Sequence, residues 1–243
     1  MSDHCLHLQA IARVISPYRE KFGIPRQAGL VEAACGWLEM APEFARPEAF
    51  EGLEGFERIW VIFGFHACEG RYRLRVRPPR LGGNREVGVF ASRSPFRPNN
   101  LGLSLLGLEG IEHADGRLRL RVSGVDLLHD TPVYDIKPYL PYADAHPGAA
   151  SGFAAQPPSP VLAVHFGEMA EVVLRERPAL RELIAQTLAL DPRPAYRKGR
   201  DRRRYGMRIE GFDVRWRVEG DHAEVETIVP VGLDDAPGLS ASD

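Results

Sequence analysis

A chain of 243 residues with 44% hydrophobic and 26% charged positions and a formal net charge of -2 has the composition of a globular protein. It is long enough for one large domain, or for a main domain with a smaller companion, around a sizeable core. No run of about 18 apolar residues occurs, which argues against a membrane-spanning helix. Cys5, Cys35 and Cys68 show no CxxC spacing, which argues against a disulfide framework or a zinc site, so no metal is expected. The opening MSDHCLHLQAIARVI lacks a basic segment followed by an apolar stretch and a small-residue cleavage site, and the chain is read as cytoplasmic.

In chain order, Leu8–Ile15, Gly29–Met40, Glu57–His66, Arg71–Arg77, Glu86–Ser92, Leu103–Glu112, Arg117–Val125 and Pro132–Leu140 read as strands. They are rich in β-branched, aromatic or alternating residues and are separated by Gly, Pro, Asn or Asp clusters. One helix is expected at Pro47–Leu53. Many short strands without regular helices between them predict a mainly β barrel or sandwich, not a doubly wound sheet. The stretch Ala143–Pro160 is small, Pro-rich and unpatterned, and marks a linker or an extended crossing. Beyond it, VLAVHF is a strand, GEMAEVVLRER and PALRELIAQTLAL are helical with Pro178 at a first helical position, and YGMRIE, FDVRWRV and HAEVETIV are strands. The expected organisation is a β-barrel-like domain over 1–145, a linker over 146–160, a small α+β domain over 161–230 and a disordered tail over 231–243.

The small net charge hides a segregation. From Arg71 to Ser104 the chain carries eight arginines against Glu86 alone; from Arg193 to Arg217 it carries nine arginines and Lys198 against Asp201, Glu210 and Asp213. Each segment is therefore +7 by count, a local excess that suits a polyanion. In RYRLRVR, Arg71, Arg73, Arg75 and Arg77 share one strand face by the two-residue period. That pattern describes a solvated face equally well, but four like charges repel one another without an anion, which favours a ridge that follows phosphates. RPPRLGGNR is a Pro-Pro, Gly-Gly loop whose backbone N–H groups can approach a ligand. In RSPFRPNNLG, Pro95 and Pro98 each hold φ at about -65° and restrict the residue before them, so Arg97 is held on a nearly fixed path. An ordered arginine loses less entropy when it binds an anion. GVDLLHDTPVYDIKPYL gathers Asp126, His129, Asp130, Asp135, Lys137 and Tyr139, with Asp135 and Lys137 on one face as an ion pair or a catalytic pair. His66, ending an apolar strand, reads first as a hydrogen-bonded core residue. GxGxxG after a strand, GxxxxGK[ST], HExxH and GxSxG are all missing.

SPYREKFGIPRQAGL, GFERIWVIFGFH, RPPRLGGN, GVFASRSPFRPNNLGLS, DLLHDTPVYDIKPYLPYAD, DPRPAYRKG and FDVRWRV resemble, in the same order, the TrmO (TsaA-like, YaeB) family of tRNA methyltransferases, from Ile11 to about Val218. The resemblance implies a β-barrel-like, non-Rossmann methyltransferase domain and a small C-terminal domain. It implies an S-adenosylmethionine-dependent enzyme that methylates N6 of N6-threonylcarbamoyladenosine (t6A) at position 37 of tRNA to give m6t6A, and a homodimer. It places cofactor contacts on Pro25, Arg26 and Gln27, on His66 and Ala67, on Arg93, on Leu103, and on Val125, Asp126, Leu127 and Leu128. Ala67 offers only backbone, and Asn100 stands where some relatives have proline, which is expected to loosen its loop.

On that resemblance Arg26 or Arg93 binds the cofactor carboxylate, Gln27 the adenine or ribose, and Asp126 the positive groups, while Leu103, Val125 and Leu127 cover the purine. Asp135 or Tyr139 accepts the proton of the reacting nitrogen. Arg97 or Lys137 pairs with the threonyl carboxylate, and Arg71, Arg73, Arg75, Arg77, Arg197 and Lys198 follow tRNA phosphates. Two other readings share the arginines: a non-catalytic RNA- or nucleotide-binding barrel, and a methyltransferase acting on another substrate.

Overall fold

The computed structural model describes residues 5–68, 70–194 and 203–231. Its elements are β1 (Ala12–Ile15), β2 (Gly36–Met40), β3 (Arg58–Gly64), β4 (Arg75–Val76), β5 (Val87–Gly88), β6 (Leu101–Ala114), β7 (Arg117–Ser123), β8 (Pro132–Pro138), α1 (Pro141–Asp144), β9 (Ala163–Phe166), α2 (Glu168–Leu174), α3 (Pro178–Ala189), β10 (Tyr205–Ile209), β11 (Phe212–Glu219) and β12 (His222–Pro230).

Six strands close into an antiparallel barrel in the order β1-β2-β7-β6-β3-β8. Alternation decides which face is inside. Val14, Leu38, Ile59, Val61, Leu106, Leu120, Val122 and Val133 are fully buried and fill the barrel, while their sequence neighbours turn outward. Closure leaves no free edge among these six strands, so a barrel this small can be packed solid with branched side chains.

The second unit is a four-stranded sheet, β10-β11-β12-β9, with β9 parallel to β12. Helices α2 and α3 bury Leu174, Leu183, Ile184 and Leu188 against Trp216, Met207, Val214 and Val225. Pro178 opens α3, as its fixed φ suits. Tyr18, Val31 and Ala34 from the N-terminal region belong to this same core. They lie in the excursion between β1 and β2, which leaves the barrel and packs against the second unit.

Several expected elements are shorter than the sequence pattern suggests. Of Arg71–Arg77 only Arg75 and Val76 form a strand, paired with Val87–Gly88, so Arg71, Arg73, Arg75 and Arg77 do not share one strand face. A strand needs a hydrogen-bonding partner along its length. Here the Arg73 N–H donates to the carbonyl of Phe96 and the Leu74 carbonyl accepts from Val89, both loop partners. Gly29–Met40 becomes strand only from Gly36, because its first half belongs to the excursion. The helix expected at Pro47–Leu53 is a pair of single 3-10 turns, Pro47–Phe50 and Leu53–Gly55, split by Gly52 at φ 82°. His66 is exposed in a 3-10 turn after β3, not a core residue. The expected tail falls almost wholly outside the described residues.

Candidate active site

Three connections meet at one end of the barrel: the excursion between β1 and β2, the long insertion between β3 and β6, which both leaves and re-enters the barrel here, and the turn after β7. Backbone hydrogen bonds lock them together. The Gly29 N–H donates to the Gly124 carbonyl at 2.9 Å, Val125 N–H to Ala34 at 2.9 Å, His129 N–H to Tyr18 at 2.8 Å, and Phe65 N–H to Asn100 at 2.7 Å. Where the first and last connections cross, Gly124 has φ +67°, and a Cβ on it would lie 3.0 Å from the Gly29 backbone. Only glycine allows that approach.

At this junction Asp126 is the central side chain. Val125 and Leu127 on either side are buried in the barrel core, 0% and 2% exposed, while Asp126 lies between them in a segment without strand pairing and turns its carboxyl to Ser104. Ser104 Oγ donates to Asp126 Oδ1 at 2.7 Å. Burial pushes the Asp126 carboxyl well above the usual carboxylate range, to about 6. The Ser104 hydroxyl, the Asp126 and Ala28 backbone N–H groups and the nearby Arg93 charge oppose that rise only in part. Arg93 Nη1 donates to Gln27 Oε1, and Gln27 Nε2 to the Arg26 carbonyl. Burial lowers the pKa of the Arg26 guanidinium; Asp191 counters this, and the like charge of Arg80 adds to it. Arg26, Gln27, Arg93 and Asp126, distant in sequence, thus form one polar cluster.

The loop of Arg93 is rigid, though not through its prolines alone. Asn100 is buried at φ 49°, and its Nδ2 donates to the Arg71 carbonyl at 3.0 Å and the Pro95 carbonyl at 2.8 Å. The asparagine expected to loosen the loop ties it down, because the amide supplies two donors and tolerates the left-handed region. Arg97 is folded back: its Nη1 donates to the Ser92 and Ser94 carbonyls at 3.1 and 3.4 Å. The Ala67 carbonyl accepts from Arg71 Nη2 at 2.7 Å and Lys21 Nζ at 3.4 Å, so this residue takes part through its backbone.

Other expected site residues lie elsewhere. Because Val125 and Leu127 are sealed in the core, only their backbone is left for a ligand, and neither side chain can cover a purine; Leu128 is half-buried at the turn. Leu103 is 51% exposed on the outside of the barrel, while its neighbour Ser104 faces Asp126. Leu103, Ile62 and Asp135 stand opposite one another on β6, β3 and β8, which puts Asp135 about 10 Å from Leu103 along that outer row. Asp135 Oδ2 is paired with Lys137 Nζ at 3.0 Å, and the Tyr139 ring meets the Trp60 ring edge-on at 6.1 Å. Arg197 and Lys198 lie outside the described residues.

Arg80, in the RPPRLGGNR loop, joins the site without any spacing in the sequence that marks it. Its Nη2 donates to the Gln156 carbonyl, and its charge is felt at Arg26. The RPPRLGGNR loop is the available signal, but its contact with Gln156 depends on the fold. The donor set suits a zwitterion. Arg26 and Arg93 offer forked donors to a carboxylate, and a buried Asp126, penalised for its charge, gains from a neighbouring cation. By that chemistry the residues present fit S-adenosylmethionine.

Comparison with known proteins agrees. The family model for the tRNA-methyltransferase O N-terminal domain matches residues 13–145, and that for the TrmO C-terminal domain matches 159–231. A Pseudomonas aeruginosa protein named as an S-adenosylmethionine-dependent methyltransferase, RcsF, is 51% identical over 212 residues, covering 85% of this chain and 90% of its own. The Escherichia coli tRNA (adenine(37)-N6)-methyltransferase is 43% identical over 228 residues, covering 91% and 97%. The crystal structure of TrmO from P. aeruginosa superposes with a TM-score of 0.77 at 40% identity, covering 95% of this chain and 100% of that one. A closed β-barrel, with no Rossmann sheet among the described residues, is the class of methyltransferase seen here. The chain belongs to the tRNA-methyltransferase O family and is an S-adenosylmethionine-dependent methyltransferase.

Proposed function

We propose that the protein methylates N6 of t6A at position 37 of tRNA, giving m6t6A, and does so as a cytoplasmic homodimer. Its methyltransferase domain spans 1–145 and a small companion spans 161–230. The observation that carries this reading is the Asp126 cluster. A carboxylate driven up by burial, bonded to Ser104 and flanked by Arg93, Gln27 and Arg26, is suited to one ligand bearing both a carboxylate and a cation. When bound, the cofactor supplies a methyl group activated on a sulfonium. Arg93 and Arg26 would hold the cofactor's carboxylate, Gln27 would orient its ribose or base, and Asp126 would favour its positive groups. Pro25, His66, Ala67 and Leu128 shape the walls. Alignment and removal of water are the main tasks such a displacement sets an enzyme.

The homodimer reading rests on the division of the expected residues between two faces. Asp126 occupies the junction of connections, whereas Leu103, Asp135, Lys137 and Tyr139 stand on the outer β6–β3–β8 surface. Exposed apolar groups accompany that surface and the neighbouring insertion: Leu103, Tyr72, Leu74 and Phe90. A second subunit that sets its outer surface against the junction unites the two sets, and Asp135 or Tyr139 then accepts the proton from the reacting nitrogen while Lys137 meets the threonyl carboxylate. Arg97, turned onto its own loop, keeps the wall rigid.

The test is mass analysis of nucleosides after incubation with cofactor, using tRNA with and without the threonylcarbamoyl group. Methylation confined to t6A is expected. Equal methylation of both tRNAs would favour another substrate, and no calorimetric heat with S-adenosylmethionine would favour a non-catalytic RNA-binding barrel. Mixed dimers of Arg93→Ala and Asp135→Asn chains should recover part of the activity that each variant lacks alone.

A further inference from the structure

The 20 residues Ser16–Cys35 that separate β1 from β2 contain no strand or helix of their own. A connection of that length inside a compact domain is unusual, and left to itself it samples many conformations. Pro25, Arg26 and Gln27 sit near its middle, far from the nearest barrel strand in sequence.

What holds this excursion is largely the second unit. Its apolar side chains Tyr18, Val31 and Ala34 are buried in the core formed by α2, α3 and the β9–β12 sheet, and Phe22, Ile24 and Ala33 pack on the same core. Phe22 stacks on Trp216 at 5.8 Å between ring centres. Polar ties flank those contacts. Gln186 Oε1 on α3 accepts the Ala33 N–H at 3.0 Å, Glu20 Oε1 accepts the Arg208 N–H at 2.9 Å, and the Glu210 N–H donates to the Pro17 carbonyl at 3.0 Å. Tyr18 forms a β-bridge with Ile209. Gly23 has φ +92° and lies over Met207, where a Cβ would come 3.1 Å from the sulfur. Asp191, at the end of α3, exerts its charge on the Arg26 guanidinium.

We infer that the C-terminal unit positions the cofactor loop: it clamps the β1–β2 excursion at both ends so that Arg26 and Gln27 reach Arg93 and Asp126 already ordered. The inference rests on the reading of Pro25–Gln27 as part of the cofactor site. Its physical content is entropic. A loop ordered before binding does not charge the ligand with the loss of its freedom. Gln186 and Glu20 touch neither the proposed cofactor nor the reacting atoms, and act through the loop as positioning residues.

The full-length protein carries the test. Gln186→Leu removes the acceptor of the Ala33 N–H; Gln186→Glu combined with Glu182→Gln keeps an oxygen there and, with the roles exchanged, the hydrogen bond that Gln186 Nε2 makes to Glu182 at 2.8 Å. Calorimetric affinity for S-adenosylmethionine should weaken about five- to tenfold in Gln186→Leu and recover in the Glu182→Gln, Gln186→Glu double variant. The rate at saturating cofactor and the affinity for tRNA should stay near those of the parent. A folding defect alone would not produce such a split between cofactor affinity and maximal rate. Glu20→Ala, at the other end of the excursion, should weaken cofactor binding in the same way and serves if Gln186→Leu folds poorly. Arg26→Ala distinguishes the two levels of the argument. If Arg26→Ala weakens cofactor binding while Gln186→Leu and Glu20→Ala leave it unchanged, the positioning role is overturned. If Arg26→Ala also leaves it unchanged, the cofactor reading of the loop falls first.

Discussion

The two arginine-rich stretches carry the same linear charge, yet among the described residues the fold gives their arginines different partners. In the insertion before β6, arginines end mostly on neutral acceptors: Arg71 on the Ala67 carbonyl, Arg80 on the Gln156 carbonyl, Arg93 on the Gln27 amide, Arg97 on the Ser92 and Ser94 carbonyls, and Arg73 over the Phe96 ring at 5.5 Å. Glu86 is shared by Arg75 and Arg77 at 3.3 Å each. Among the described residues of the C-terminal stretch, arginines meet carboxylates: Arg215 with Asp213 at 2.6 Å, Arg217 with Glu224 at 3.0 Å and Glu226 at 3.6 Å, Arg204 with Glu226, and Arg193 with Asp191 in a buried pair. Glu224 and Glu226 belong to β12, outside the window counted as basic, and register brings them there: Arg217 stands opposite Glu224. Charge counted along a chain is therefore a poor guide to the field at its surface. An arginine on a carbonyl keeps its charge for a ligand, while one on a carboxylate spends most of its field locally.

The largest expected effect is on the cofactor. Arg93→Ala removes a charged donor from the Asp126 cluster and should weaken S-adenosylmethionine binding about 10- to 100-fold by calorimetry; unchanged affinity would detach the insertion from the site. Next, replacing Arg73, Arg75 and Arg77 together by Gln should reduce the slope of log affinity for tRNA against log salt by about two. The same slope measured for an Arg215→Gln, Arg217→Gln double variant should match the parent. Equal reductions in the two variants would erase the contrast between the stretches.

A smaller effect comes from Asp126. Its folded pKa is raised, so the carboxyl favours the folded state fully below its ordinary pKa, and that contribution is lost as pH rises through about 6. Asp126→Asn should thus melt a few degrees above the parent at pH 8 and level with it at pH 4. Cofactor affinity should climb between pH 5 and 7 in the parent and stay flat in Asp126→Asn. The smallest change is stability on loss of an exposed C-terminal pair: Arg217→Gln should leave the denaturant midpoint almost where the parent has it, because solvent screens such a pair.

Much of the architecture was legible because alternation reports directly on which face is buried. The strands at Glu57–His66, Leu103–Glu112, Arg117–Val125 and Pro132–Leu140 appear as β3, β6, β7 and β8, and the α+β pattern after the linker reappears in order. RYRLRVR misled for the same reason: alternation says which residues would share a face if a partner strand ran alongside, and the partner here spans two residues. Asn100 looked like a loosened turn because its hydrogen bonds, to Arg71 and Pro95, are made through side-chain geometry that no spacing reveals.

The sequence by itself determined most of the barrel's strands, the order of elements, the absence of a Rossmann fingerprint and, by resemblance, the family, since local periodicity and long motifs survive without three-dimensional context. Only the tertiary structure decided that Arg26, Gln27, Arg93 and Asp126 meet, that Val125 and Leu127 are sealed in the core, that Leu103 and Asp135 face away from Asp126, and that the β1–β2 excursion is packed into the C-terminal core. These are contacts between residues tens of positions apart, and they depend on strand register and loop crossings that a linear pattern does not encode.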